Sequence, residues 1–475
     1  MVKRAKATRN GGAVDQGMAD EPVRKIGNRR DAYARLSDRY GCEAAVPLPT
    51  FLTGQARREH VRATIIEDHA ERIDRHAQGT DAKFAKLAGS RFSFFRGTAL
   101  LFYRDITGTD PRMPSVLLLG DVHPENFGIM PNSDNVPIFS VNDFDEVLYG
   151  PFSWDLKRGV VGFMLAAEEV GGHGTKHQRK IAKSFLKGYI AEMKKCAAAA
   201  VPSDTVFRMD NSPPVIADLF DKAMQPREKW LWDRYVDDSG SGFRASEELT
   251  PVSSRRDEFQ AYIDTLAAAN DIPRAGRFGQ LRVKDVCRRH GQGTASLGLD
   301  RFYLLIEGPA QDATDDIIVE FKRARRSALE GLVPANDFDA GEQADRIAHG
   351  QRVHLAAGDV FYGSIDIAGE SFMTRERAPF REDIDLDALS MAAWKEYAFA
   401  CGQALALAHG RSDEAGAIDY DVEPRIVEAM TPTRLFIDDT IRFGRETLKR
   451  ITDDHAGFRR DHRMAAFERM PRHYR

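Results

Sequence analysis

Apolar positions along this chain alternate between two spacings, and the changes of spacing mark out its elements. From Thr53 to Leu87 the pattern is helical and heavily charged, with Val61, Ile65, Ile66 and Ile73 at helix spacing, which predicts one or two surface helices. Arg91 to Ile106 is dense in aromatic residues and carries arginines, so a buried segment is expected there. The period then shortens. Ser115 to Leu119 is an apolar run ending at Gly120-Asp121, and Val136 to Val141 is a second one ending at Asn142-Asp143. Between them Met130-Pro-Asn-Ser-Asp-Asn135 is a strong turn signal, so the two runs are expected to pair as a small hairpin.

Long helical patterns follow over Gly159 to Ala200, and a mixed, mainly helical region continues to about Asn270. Strand signals return at Val283 to Arg289, Arg301 to Glu307 and Ile317 to Lys322, a three-strand meander with a Gly-rich first turn; another hairpin surrounds Val360 to Arg375. A helix is expected from Gly341 to Leu355. The chain closes with helices, notably Leu389 to His409, whose Trp394, Tyr397, Ala398, Cys401, Leu405 and Ala408 make a broad apolar face.

Composition narrows the class. A chain of 475 residues accommodates two or three compact units, and its 42% hydrophobic and 29% charged residues exclude global disorder. With 68 basic and 72 acidic side chains the formal charge is -4, so there is no overall positive field and no nucleic-acid partner is expected. Cys42, Cys196, Cys287 and Cys401 lie far apart, against a disulfide framework or a thiolate metal site, and read as reduced packing residues. The best apolar run, Gly159 to Ala167, is about half of what a membrane span requires. The first 30 residues lack the apolar stretch of a secretory signal, so a flexible polar arm and a cytoplasmic location are expected.

The chemistry concentrates in Leu117-Leu-Leu-Gly-Asp121-Val-His123-Pro-Glu-Asn126-Phe-Gly128 and in Phe139-Ser-Val-Asn142-Asp143-Phe144-Asp145-Glu146. Two strand ends each present acidic and amide side chains. Phosphoryl transfer from a nucleotide requires a carboxylate to orient the attacking hydroxyl and hard oxygen ligands for magnesium. One Asp for the first task, and Asn with Asp for the second, meet that requirement. Asp and Asn also favour turns for backbone reasons alone, so the pairing of the two sites carries the argument.

Asp121-Val-His-Pro-Glu-Asn126 resembles the catalytic loop of kinases, D-x-x-x-x-N, with Asn142-Asp143-Phe144 where kinases carry the metal-binding Asp. His123 is similar to the residue found there in aminoglycoside and choline kinases. More closely, G-D-x-H-x-x-N-F-G, then N-D-F-D-E, then P-F-x-W-D-x-K-R (Pro151 to Arg158), resemble the bacterial family called domain of unknown function 2252, which has kinase-like relatives. The resemblance implies Asp121 as catalytic base, His123 beside it, Asn126, Asp143 and Asp145 on magnesium, Asp155 bracing the catalytic loop, and Arg96, in Phe94-Phe-Arg-Gly97, either reaching a phosphate or serving in a buried ion pair. Leu119 departs from the His that often precedes G-D in small-molecule kinases.

A kinase also needs a glycine-rich turn over the phosphates and a strand lysine. The candidates lie downstream: Gly293-Thr-Ala-Ser296-Leu-Gly298 as the turn and Lys322 at the end of the third strand, with Ala295 in place of the middle glycine. Lys322 should pair with a carboxylate on the following helix, for which Glu342, Glu330 and Asp345 compete, Glu342 being best placed. The family has a similar turn and lysine after its catalytic motif.

The expectation is therefore an α+β, two-lobed, protein-kinase-like fold, circularly permuted, with extra helices. Its parts would be an N-terminal arm (1–45), a helical and aromatic segment (46–115), a catalytic lobe with a helical insert (116–275), a nucleotide lobe (276–385) and helices returning to the catalytic lobe (386–475). The expected activity is ATP- and magnesium-dependent phosphoryl transfer to a hydroxyl of an unidentified small-molecule or protein acceptor. The alternatives are a non-catalytic kinase-shaped binder of nucleotide or partner and, last, a metal-dependent phosphoesterase, which lacks its G-N-H cluster here.

Overall fold

In the computed structural model, residues 48–75, 77–110, 112–198, 205–290, 300–310, 312–333, 343–379, 382–413 and 417–467 are described. The expected polar arm, the Gly-rich turn and Glu342 lie outside them.

The mixed α+β architecture divides into a helical body and a six-stranded sheet. In the body, the aromatic run forms two short helices, Arg91–Gly97 and Ala99–Ile106; Ser90 caps the first, its hydroxyl accepting from the Ser93 amide at 2.9 Å. Phe152–Glu169 is buried on nearly every face, which is why its sequence reads as continuous apolar residues rather than as a stripe. Thr175–Ala197 packs along Met391–Gly410, and the long Thr433–Arg463 lies across Phe152–Glu169 and Gly54–Arg75. The chain's last helices thus return to its first. Among the described residues no helix is long and apolar enough to cross a membrane.

Short strands sit on this body: β1 (Ser115–Leu118), β2 (Phe127–Pro131), β3 (Pro137–Val141) and β4 (Leu148–Pro151). The expected hairpin between the 115–119 and 136–141 runs does not form. β1 pairs with β4, and β3 pairs with β2. The Met130–Asn135 turn is real, with the Asn132 amide bonded to the Val136 carbonyl at 2.9 Å, but it joins β2 to β3. Two strands of four and five residues, one following Asn126 directly, carry too few alternating positions to be read from the sequence.

A third sheet, of six strands, has the order β5 (Leu249–Pro251), β6 (Val283–Arg289), β7 (Arg301–Ile306), β8 (Ile317–Arg323), β10 (Glu370–Arg377), β9 (Gly363–Ile367), all neighbours antiparallel. The meander is β6, β7 and β8, and the later hairpin is β9 with β10. The sheet also takes elements from before residue 276: β5 and the helix Arg256–Ala269, whose Phe259, Ile263 and Leu266 cover one face. On the other face Trp230, Leu231 and Val236 pack over Tyr303, Leu305 and Ile318. Gln343–His354 rests on β9 and β10, and β11 (Glu382–Asp383) leads back to pair with β2.

Candidate active site

β1 ends at Leu118, and the chain then turns through Gly120 at φ +82°, a conformation that favours glycine; a Cβ there would also overlap the Glu146 carbonyl. This close approach seats the Asp121 loop against the loop that follows β3. Asp155, from the first turn of Phe152–Glu169, is fully buried and accepts from the Leu119 amide at 2.7 Å and the Gly120 amide at 3.1 Å. His409 Nε2 donates to Asp155 at 3.1 Å, and Tyr189 contacts His409 Nδ1 at 2.9 Å. Asp155 thus braces the loop through its backbone.

Asp121 is held by Arg158, whose Nε and Nη2 donate to Oδ1 at 2.8 and 2.6 Å. The guanidinium is itself buried against the rings of Phe95, Phe102 and Tyr103, at 4.2, 5.1 and 5.7 Å from their centroids. Burial opposes ionisation of Asp121, but Arg158 and His123 outweigh it and hold the carboxyl well below the usual carboxylate range. His123 Nδ1 accepts from the Glu125 amide at 3.2 Å and Nε2 from Arg96 Nε at 3.2 Å, with Nε2 lying 3.6 Å from Asp121 Oδ2. Burial and the nearby Arg96 guanidinium lower the pKa of that imidazole. Arg96 lies against His123 and pairs with Glu125 at the rim.

Asn126 closes the loop: Nδ2 donates to the Asp121 carbonyl at 2.7 Å, so Oδ1 is the amide atom left for a ligand. Its own carbonyl accepts from the Asn142 amide at 3.2 Å, tying the loop to the end of β3. Asp143 and Asp145 follow. Burial and the charge of Asp145 raise the Asp143 pKa, with Asp121 adding to the rise. Asp145 is shifted the other way, because Lys322 outweighs its burial. Carboxylate and amide oxygens such as these are hard donors of the kind magnesium takes.

The opposite wall is the sheet. Lys322, near the end of β8, forms an ion pair with Asp145, 177 positions earlier in the chain. Glu320, two residues before it on the same face, is fully buried between Arg375 at 2.5 Å and Arg301 at 3.1 Å. Arg375 lies within electrostatic reach of both Asp143 and Asp145, favouring their ionised forms. Arg346, on Gln343–His354, donates to the carbonyls of Val147 and Arg325 at 2.8 Å, and Glu146 accepts from the Ala328 amide at 2.5 Å, so the loop after β3 is tied to the segment after β8.

Of the residues singled out from the sequence, Asp121, His123, Arg96 and Asn126 form one contact group, and Asp143, Asp145 and Lys322 another. The field of Asp121 at Asp143 joins the two. Gly293, Ser296, Gly298 and Glu342 lie outside the described residues. Of the other carboxylates weighed for Lys322, Asp345 is exposed, and the lysine is instead taken by the loop after β3. Sequence reasoning missed Arg158 and Arg375. The only local signal for the first was its place at the end of P-F-x-W-D-x-K-R, and the second, in Glu370-Ser-Phe-Met-Thr-Arg-Glu-Arg377, had none.

No curated protein and no solved structure matches the chain. A family profile, described as an uncharacterized protein conserved in bacteria (DUF2252), matches residues 75–461, which include the Asp121 and Asp143 loops, Lys322 and Arg375. The chain belongs to this DUF2252 family.

Proposed function

We propose that this protein is a phosphotransferase that moves the γ-phosphoryl group of ATP, with magnesium, to a hydroxyl of an acceptor. The observation that carries the reading is the meeting of Lys322 with the Asp143–Asp145 loop, beside an Asp121 held as a carboxylate. On this reading the fold is a two-lobed kinase-like one, with the six-stranded sheet as the nucleotide lobe placed behind the catalytic segment by circular permutation.

Asp121 orients the acceptor hydroxyl and takes its proton late. Its depressed basicity suits a loose transition state, in which little proton transfer is needed before the phosphoryl group leaves. His123, between Arg96 and Asp121, positions both at the phosphate-facing side of the loop. Asn126 Oδ1, Asp143 and Asp145 would hold magnesium, which supplies charge neutralisation between the phosphates. Lys322 exchanges Asp145 for phosphate oxygens when nucleotide enters. Catalysis then rests on positioning and charge complementarity, with no covalent nucleophile.

A second reading, a non-catalytic kinase-shaped binder, draws support from the two bonds that Arg158 makes to Asp121, since a locked carboxylate serves a binding role equally well. Incubation with Mg-ATP and a panel of hydroxyl acceptors separates the two. Phosphate release or transfer that disappears in Asp143→Ala supports the enzyme; nucleotide binding without turnover across the panel supports the binder.

A further inference from the structure

The face of the sheet that carries Lys322 has an unusual composition for a nucleotide cleft. Register places Arg301 opposite Lys322, Tyr303 opposite Glu320 and Arg375 opposite Glu320, so these side chains share one face. At its cleft end stand three cations, Arg301, Lys322 and Arg375, with Glu320 as the one anion among these four. Their side chains keep 10 to 12% exposure, whereas that of Glu320 has none. A purine needs flat apolar or aromatic walls. Tyr303 is the aromatic candidate on this face, but its ring already lies 6.0 Å from that of Tyr235 and under the Arg377 guanidinium at 6.0 Å. Leu305 and Ile318, farther along the same face, are fully buried beneath Trp230, Leu231 and Val236. Among the described residues of this face, the apolar stretch is covered by the protein's own segment, and the side chains that keep some exposure at its cleft end, Arg301, Lys322 and Arg375, are cationic.

We propose that this cleft recognises its donor through a condensed phosphate chain and not through the base, so that the ligand class is a triphosphate with or without a nucleoside. The inference rests on the phosphotransferase reading and sharpens it. Arg375 and Lys322 grip the chain from the sheet side, facing the magnesium-binding carboxylates across the cleft. Arg301 shares Glu320 with Arg375 and so fixes the direction in which Arg375 points.

The test is calorimetric titration of the full-length wild-type protein with the magnesium complexes of ATP, GTP and inorganic tripolyphosphate. The three dissociation constants should fall within about tenfold of one another. A preference for ATP over either of the others beyond about tenfold overturns the inference while leaving the phosphotransferase reading intact. Absence of binding by all three overturns both. Arg375→Met alone would strand the buried Glu320 charge, so the companion variant is Glu320→Gln/Arg375→Met, which removes both charges together. It should weaken all three ligands in parallel, by about tenfold. Unchanged affinities in a variant with the wild-type circular dichroism spectrum would count against the proposal.

Discussion

The acidic side of the site, residues 120–158, and its cationic side, strands β7, β8 and β10, are fixed in different ways. On the acidic side the loops are fixed mainly through backbone, Asp155 to two amides, Asn126 to the Asp121 carbonyl and the Asn142 amide to the Asn126 carbonyl, with the buried Arg158 holding the Asp121 carboxylate. These persist whatever occupies the cleft. On the cationic wall side chains compensate one another, Glu320 between two arginines and Lys322 against Asp145. Such compensation changes when a phosphate arrives with its own charge. The first wall is built as a template and the second as an exchangeable set of ion pairs, so substitutions should act on stability in one and on ligand response in the other.

The largest expected effect is Asp143→Ala. If the acidic wall is a template whose one adjustable element is its metal site, this substitution should lower Mg-ATP turnover by about a thousandfold or more. Its melting temperature should stay at or above that of the wild type, because a buried carboxylate crowded by Asp145 is removed. A variant that loses activity only because it unfolds would erase the distinction between the walls. Next comes Asp155→Ala, which strands two buried amides and His409 and should lower unfolding free energy by about 3–5 kcal/mol in urea titration. A loss under about 1 kcal/mol would mean that the loop is held by other contacts.

The difference between the walls also governs how much of each could be read in advance. Asp121, Asn126 and Asp143 stand at strand ends with short, fixed spacing, so local sequence reveals them. The β1–β4 and β2–β3 pairings did not follow, because an apolar run of four or five residues does not name its partner. Lys322 was legible as the end of an alternating strand, yet its partner Asp145 lies on a loop 177 positions away, and no local pattern encodes that contact. Arg158 and Arg375 were hidden for a related reason: an arginine in a sequence reads as solvated surface, and only the fold shows Phe95, Phe102 and Tyr103 around one and Glu320 beside the other.

Gly120→Ala addresses how tightly the template is assembled. Positive φ and the overlap with the Glu146 carbonyl together should lower stability by about 2–3 kcal/mol. Turnover should fall more than stability alone accounts for, since the Asp121 loop and the Asp143 loop meet at this point. Equal activity per folded molecule would show that the two loops tolerate separation.

The smallest effect concerns the joint between the walls. The helix Gln343–His354 packs on β9 and β10, while His354 Nε2 reaches the Leu117 carbonyl of β1 at 2.9 Å, so one helix touches both sides. Burial pushes the His354 pKa down to about 3, and burial with the nearby Arg352 takes His349 on the same helix down to about 4. An unfolded histidine titrates near about 6.5, so below that pH the unfolded chain takes up protons that the native chain refuses. Stability conferred by each neutral histidine is therefore complete above about 6.5 and is lost as pH falls toward the native value, at up to about 1.4 kcal/mol per pH unit. In urea titrations the wild type should lose stability between about pH 7 and about pH 5, and His354→Gln, which keeps a donor for Leu117 but does not titrate, should lose about 1–2 kcal/mol less over that interval. Identical slopes would mean that the joint between the two walls is insensitive to protonation and that His354 serves there only by its shape.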